Sequence, residues 1–188
     1  MNHSVSRTRK IVLCALFAAL TAVFSQIALP LPFTPVPVNL ATLSVLLAAV
    51  LLGTKAGAVS QCVYLLAGAV GLPVFSRFMG GVSVLVGPTG GYLIGYPIAA
   101  LTTGFLDARL RGRRFGSVLA MIAGIAVCYA FGTLWYVIST HTPIVSALLA
   151  CVVPFLPGDA LKIVAAAILA KILVPRLALQ KQEKSNRS

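Results

Sequence analysis

The chain has only three carboxylates, Asp107, Asp159 and Glu183, in 188 residues. Hydrophobic residues make up 59% of it and charged residues 10%, whereas soluble domains run at about 45–50% and about 25%. So few charges cannot cover the surface of a water-soluble fold of this size. Lipid can solvate what water cannot, so the chain belongs in a membrane before any motif is read. The net charge of +12 would suit nucleic acid if the basic residues formed a stripe. They cluster instead at the ends of apolar stretches, which argues against a nucleic-acid partner. The four cysteines, Cys14, Cys62, Cys128 and Cys151, lie in apolar surroundings without a C-x-x-C pair. They read as small buried hydrophobes.

A spanning helix needs about 20 largely apolar residues. The first such run, 11–29, exceeds the usual core of a signal peptide and lacks a convincing cleavage site, so it is expected as a retained helix. Pro30, Pro32, Pro35 and Pro37 then make 30–37 a loop or extended cap. Further spans are expected at 38–52, 58–70, 92–106, 115–139 and 158–174. A short helix or re-entrant piece is expected at 144–153, before Pro154 and Pro157. The glycine-rich stretch 71–91 is too apolar for a solvated loop and too broken to span. Irregular backbone at membrane depth survives only against protein or a cavity, so this stretch is expected over a binding pocket.

The expected architecture is all-α: one transmembrane domain over 1–188 with six helices and polar tails at 1–10 and 175–188. With six spans, every Lys and Arg except Arg77 and Lys162 falls on one side, and cytoplasmic loops carry such an excess. Both termini are therefore expected in the cytoplasm of a multi-pass plasma-membrane protein. No repeat marks an inverted pair of halves, which weakens the case for a stand-alone alternating-access carrier.

Asp159 and Lys162 are the most informative residues. They lie three apart in an apolar stretch and share a helical face. Isolated charges at the bilayer centre cost about 2.5–3.5 kcal/mol each on insertion scales, so such residues pair and face cavities. Asp159 as a mere helix cap beside a snorkelling Lys162 is the bland alternative; a polar clamp for a ligand with donors and acceptors is the functional one. In 87–97, glycines permit close approach, and Tyr92 and Tyr96 offer apolar faces with polar tips. In the first helix, Ala15 and Ala19, with Ala18 and Ala22, form small-residue pairs of the kind that lets helices approach closely.

Catalysis finds little support. The two histidines, His3 and His141, have no metal-ligating companion, and Ser83 has no plausible base beyond His141. No cofactor is implied, and no P-loop is present to hydrolyse ATP.

Taken together, 32–38 (PFTPVPV), 68–75 (GAVGLPVF), 87–95 (GPTGGYLIG) and 154–162 (PFLPGDALK) resemble the BioY family, the biotin-specific S-components of energy-coupling factor transporters. The resemblance covers about residues 8–175. It implies a six-helix fold with biotin in a pocket near the outer face, capped by the loops after the first and third helices. Asp159 and Lys162 match the family's polar ligand-contacting pair. Tyr92, Asn39 and Arg77, the last in an outer loop, complete the expected ligand-binding set. The first-helix alanines Ala15, Ala18, Ala19 and Ala22 match the surface that docks a shared transmembrane coupling subunit, whose two ATPase partners supply the energy. One departure stands out: Ala41 replaces a family glutamine, and Asn39 is the nearest polar substitute. Another small vitamin as ligand, or a solitary carrier, are the alternatives.

Overall fold

The computed structural model describes residues 2–32 and 34–186, with side chains for 7–29, 32, 34 and 36–175. Phe33, within the proline-rich motif, and the basic side chains of 176–188 lie outside the described set. Ten regular elements follow one another: α1 (Asn2–Gln26), β1 (Ala28–Leu31), β2 (Thr34–Asn39), α2 (Ala41–Leu52), α3 (Thr54–Ala69), α4 (Val82–Val86), α5 (Gly90–Arg109), α6 (Gly116–Thr140), α7 (Ile144–Cys151) and α8 (Leu156–Asn186). Single 3₁₀ turns occupy Ser76–Phe78 and Val153–Phe155.

The helices are inverted relative to a soluble bundle. On α8 the stripe Asp159, Lys162, Ala166 and Ala170 is buried, while Leu161, Val164, Ile168 and Ile172 are exposed. On α1, Cys14, Phe17, Ala18, Thr21 and Ser25 face inward, and Val12, Leu16 and Val23 face out. Polar side chains pair across the interior: Thr21 Oγ1 lies 2.9 Å from Ser44 Oγ and 3.3 Å from Gln61 Oε1, tying α1, α2 and α3 together. An apolar exterior around a hydrogen-bonded interior is what a lipid solvent selects. Three stretches, Arg7–Gln26, Gly116–Thr140 and Ile144–Pro175, are long and apolar enough to cross a membrane. The molecule is thus a helical membrane protein with at least three such spans.

α2 is the central helix. Its 12 residues reach about 18 Å at 1.5 Å per residue, less than a bilayer core. It packs against α1, α3, α5, α6 and α8, and Ala41, Ala48 and Ala49 are fully buried. The single residue Gly53, at φ 82°, reverses the chain into α3.

One expectation, the extended cap, is sharpened, and three need correction. The proline-rich cap is an antiparallel ribbon, with Ala28 opposite Asn39, Leu29 opposite Val38 and Leu31 opposite Thr34. A two-stranded ribbon tolerates proline because both strands are edges; the ribbon takes residues 38 and 39, so α2 starts later than expected. The stretch 71–91 contains the short helix α4 rather than irregular backbone alone. Finally, α8 continues through Pro175 to Asn186: the ring removes one backbone donor, and the helix on either side spans the gap. Cys62 is also exposed, whereas the other three cysteines are buried.

Candidate functional site

Pro157 and Gly158 open the first turn of α8, where proline's missing N–H costs nothing. That start places Asp159 at the positive end of the helix dipole and aims it, with Lys162 one turn on, into the molecule. Asp159 and Lys162 are 4% and 6% exposed, and their ion pair is 2.6 Å long. Lys162 Nζ also donates to Thr42 Oγ1 at 3.1 Å. Tyr129, from α6, donates its hydroxyl to Asp159 Oδ2. An ammonium has three donors, so Lys162 keeps one beyond Asp159 and Thr42. Each carboxylate oxygen has two acceptor sites, so Asp159 also keeps capacity for an incoming N–H.

These groups close one end of a cavity of ≈ 160 Å³. Its walls come from the ribbon (Thr34, Val36, Pro37, Asn39), from α3 and α5 (Tyr64, Tyr92, Leu93, Tyr96) and from the 74–79 loop (Phe75, Ser76, Arg77, Met79). All five expected ligand-binding residues, Asp159, Lys162, Tyr92, Asn39 and Arg77, line this one space. Their roles differ. Tyr92 spends its hydroxyl on the Cys151 carbonyl at 2.9 Å, leaving its ring as wall; Gly132 makes room for that ring, which a Cβ would strike. Asn39 Oδ1 accepts the Ala41 N–H at 3.1 Å, a cap on α2 that leaves its amide NH₂ free of that duty. Ala41 itself is fully buried and does not line the cavity, so the position singled out in the sequence brings no polar group to it. Arg77 is exposed at the mouth.

The aromatic wall is built by packing. Phe75, 1% exposed, meets Tyr64 edge-on at 5.5 Å, and Tyr64 stacks on Tyr96 at 6.3 Å. Gly68 lies directly beneath the Phe75 ring, where a Cβ would clash. Tyr64 OH and Ser76 Oγ are buried without a hydrogen-bond partner among the described residues, and both line the cavity. A ligand with its own polar atoms would supply what they lack. The space is therefore polar at its closed end, aromatic along its length and cationic at its mouth.

Thr42, Tyr64, Tyr96, Tyr129 and Ser76 belong to this lining, and of these only Tyr96 was expected. Tyr129 had a visible signal: with Thr133 and Tyr136 it forms a polar stripe on an apolar helix. Ser83 and His141 do not line the cavity, and no group of three metal-ligating side chains occurs among the described residues. Of the glycines in 87–97, Gly91 is a packing contact against Trp135 and Phe131 of α6. The first-helix alanines divide. Ala15 and Ala19 are exposed, whereas Ala18 sits in the core and Ala22 packs against it. Ala18 and Ala22 thus meet this chain's own helices, while Ala15 and Ala19 face outward.

The chain matches the model of the BioY family over residues 1–179. It is 36% identical over 176 residues to the biotin transporter BioY of Rhizobium etli, covering 89% of this chain and 94% of that one. The biotin transporter BioY of Thermotoga maritima is 40% identical over 163 residues, with 86% and 94% covered. In structure the chain is similar to the S-component for biotin from an ECF-type ABC transporter, with a TM-score of 0.85, 26% identity, and 92% and 94% of the two chains covered.

Proposed function

The chain belongs to the BioY family, and from that premise we propose that it captures biotin as the membrane-embedded S-component of an ECF-type uptake transporter. The observation that carries this reading is the buried Asp159–Lys162 pair closing a tyrosine-lined cavity whose mouth bears Arg77. Biotin is a chemical match from end to end. Its ureido group offers two N–H donors and a carbonyl, which suit the spare acceptor of Asp159 and the spare donor of Lys162. Its thiophane ring and aliphatic chain suit the walls of Tyr64, Tyr92, Tyr96 and Phe75. Its carboxylate, which water must solvate if nothing else does, suits a guanidinium at the entrance. The site binds and orients, and as a member of the BioY family the protein is a capture protein rather than an enzyme.

The six-span reading assigns α1, α2, α3, α5, α6 and α8 to the membrane, with α4 and α7 as partial elements. It treats the chain as one capture domain whose polar tails, 1–10 and 175–188, are cytoplasmic. Ala15 and Ala19 are the small residues left exposed on α1, and they support a close approach by a transmembrane coupling subunit. In that arrangement two ATPase subunits drive release, since this chain has no nucleotide-binding loop.

Calorimetric titration of purified protein with biotin tests the reading. Saturable binding of one biotin, with no competition from thiamine or riboflavin, is expected. Tight binding of either of those vitamins in place of biotin would overturn the substrate assignment.

A further inference from the structure

The loop 74–79 walls the cavity with Phe75, Ser76, Arg77 and Met79, yet its backbone is not at rest in an ordinary conformation. Arg77 and Phe78 have φ values of 62° and 56°, two consecutive non-glycine residues in the left-handed region. Such residues persist only where surrounding structure holds them. Within the loop, Phe75 N–H reaches Met79 O at 2.9 Å. Among the described residues, the side-chain hydrogen bonds into its backbone come from the last two residues of α1. Gln26 Oε1 accepts the Phe78 N–H at 2.8 Å. Gln26 Nε2 lies 3.0 Å from Phe75 O and 3.2 Å from Val74 O, and Ser25 Oγ lies 2.6 Å from Val74 O. A primary amide is the one side chain here that can answer a backbone N–H and backbone carbonyls together without a net charge.

We propose that Gln26, assisted by Ser25, is the latch that holds this loop closed over the cavity and so sets the rate at which ligand enters and leaves. Gln26 does not line the cavity, so it acts through the loop as a positioning residue. The Phe75 ring, buried against Tyr64, must move with the loop for a ligand to pass. An uncharged hydrogen-bonded latch is cheap to break and quick to remake, since each bond is worth little net once water can replace it.

The inference rests on the biotin-capture reading for its kinetic arm and on the fold alone for its structural arm. Gln26→Leu keeps the bulk of the side chain and removes the three Gln26 bonds to the loop, leaving the Ser25 bond to Val74 O in place. Gln26→Glu keeps the acceptor for Phe78 N–H but sets a carboxylate against two carbonyls. In stopped-flow exchange of bound biotin, both variants should release ligand roughly tenfold faster, equivalent to about 1.4 kcal/mol. Association should not slow. Amide hydrogen exchange should rise across 74–79 while α2 and α6 stay protected. A general loss of stability would instead raise exchange throughout and lower the fraction able to bind, leaving the release rate of that fraction unchanged; that result overturns the proposal. So does wild-type exchange across 74–79 in Gln26→Leu, whether or not biotin binds. Failure of the wild-type protein to bind biotin is a different result and counts against the substrate, not the latch.

Discussion

A carboxylate and an ammonium 2.6 Å apart and almost wholly buried satisfy each other, and that alone is weak evidence of use. A buried pair is often no better than an apolar isostere. What distinguishes this pair is that it closes a cavity and retains one donor and spare acceptor capacity. Asp159→Asn and Lys162→Met should therefore each weaken biotin binding. A hydrogen bond to a charged group is worth about 1.5–3 kcal/mol, and at about 1.4 kcal/mol per decade that is roughly 10- to 150-fold in Kd by titration. The double variant removes the unpaired buried charge that each single change leaves, so it should melt higher than the worse single while binding no better than it. Near wild-type affinity in the double variant would reduce the pair to a structural role. Arg77 makes a separate expectation: Arg77→Met should weaken biotin by about tenfold, the scale of one charge-assisted contact, and leave the affinity for the uncharged biotin carboxamide nearly unchanged. Equal losses for both ligands would remove the carboxylate from its neighbourhood. At this scale the sequence exposes Asp159, Lys162 and Arg77 because ionisable groups in apolar runs are rare. Thr42 and Tyr64 stay hidden because uncharged polar residues are ordinary in membrane helices, and only tertiary packing turns them toward one space; the stripe of Tyr129, Thr133 and Tyr136 is legible as a polar face, but not as a face toward this cavity.

Helix α1 divides its surface among different neighbours. Thr21 binds α2 and α3 inside, Ser25 and Gln26 hold the 74–79 loop at its end, and Ala15 and Ala19 lie exposed among Val12, Leu16 and Val23. The apolar periodicity of such a helix is legible without a structure. Which alanines face out is not, because inward and outward faces are equally apolar in lipid. That is why spacing does not separate Ala18 and Ala22 from Ala15 and Ala19, and the resemblance carries all four to the docking face together. The same limit affected the ends of elements. Four prolines announce an extended segment, but its pairing into a ribbon depends on Leu29 finding Val38, and Pro175 marks a break that α8 does not make. Changing Ala15 and Ala19 together to Leu adds bulk where a partner helix would come closest. It should cut biotin uptake by cells at least tenfold, a loss of about 1.4 kcal/mol in docking, and leave biotin affinity of the isolated protein within twofold. Lost affinity in the isolated protein would mean the outward alanines support the fold, not an interface.

Across the whole molecule, charge and cavity separate toward opposite ends. Gly104, near the end of α5, is built so close to the start of α3 that a Cβ would sit 2.7 Å from Thr54 Cα. This brings Lys55 to the end of the bundle where Arg109, Arg111, Arg113 and Arg114 border the α5–α6 turn. Arg109 and Arg114 there lie over the rings of Phe105 and Phe115, at 5.0 and 5.7 Å, and both rings are exposed. Guanidinium over an exposed ring suits the boundary between lipid and water. Among the described residues Asp107, which accepts a hydrogen bond from Ser117 at 2.5 Å, is the one acid set against these five cations, so the cluster stays strongly positive. Cytoplasmic loops carry that excess, and Arg77 at the cavity mouth is the lone basic side chain in an expected outer loop. The arrangement predicts opposite exposure of the two ends in intact cells. In a background with Cys14, Cys62, Cys128 and Cys151 replaced by Ala, Arg113→Cys should resist a membrane-impermeant maleimide until the cells are opened. Phe78→Cys, on the exposed turn beside the cavity, should react at once. Prompt labelling at 113 with protection at 78 would invert the protein in the membrane and point the cavity at the cytoplasm, where a capture protein for uptake has no ligand to meet.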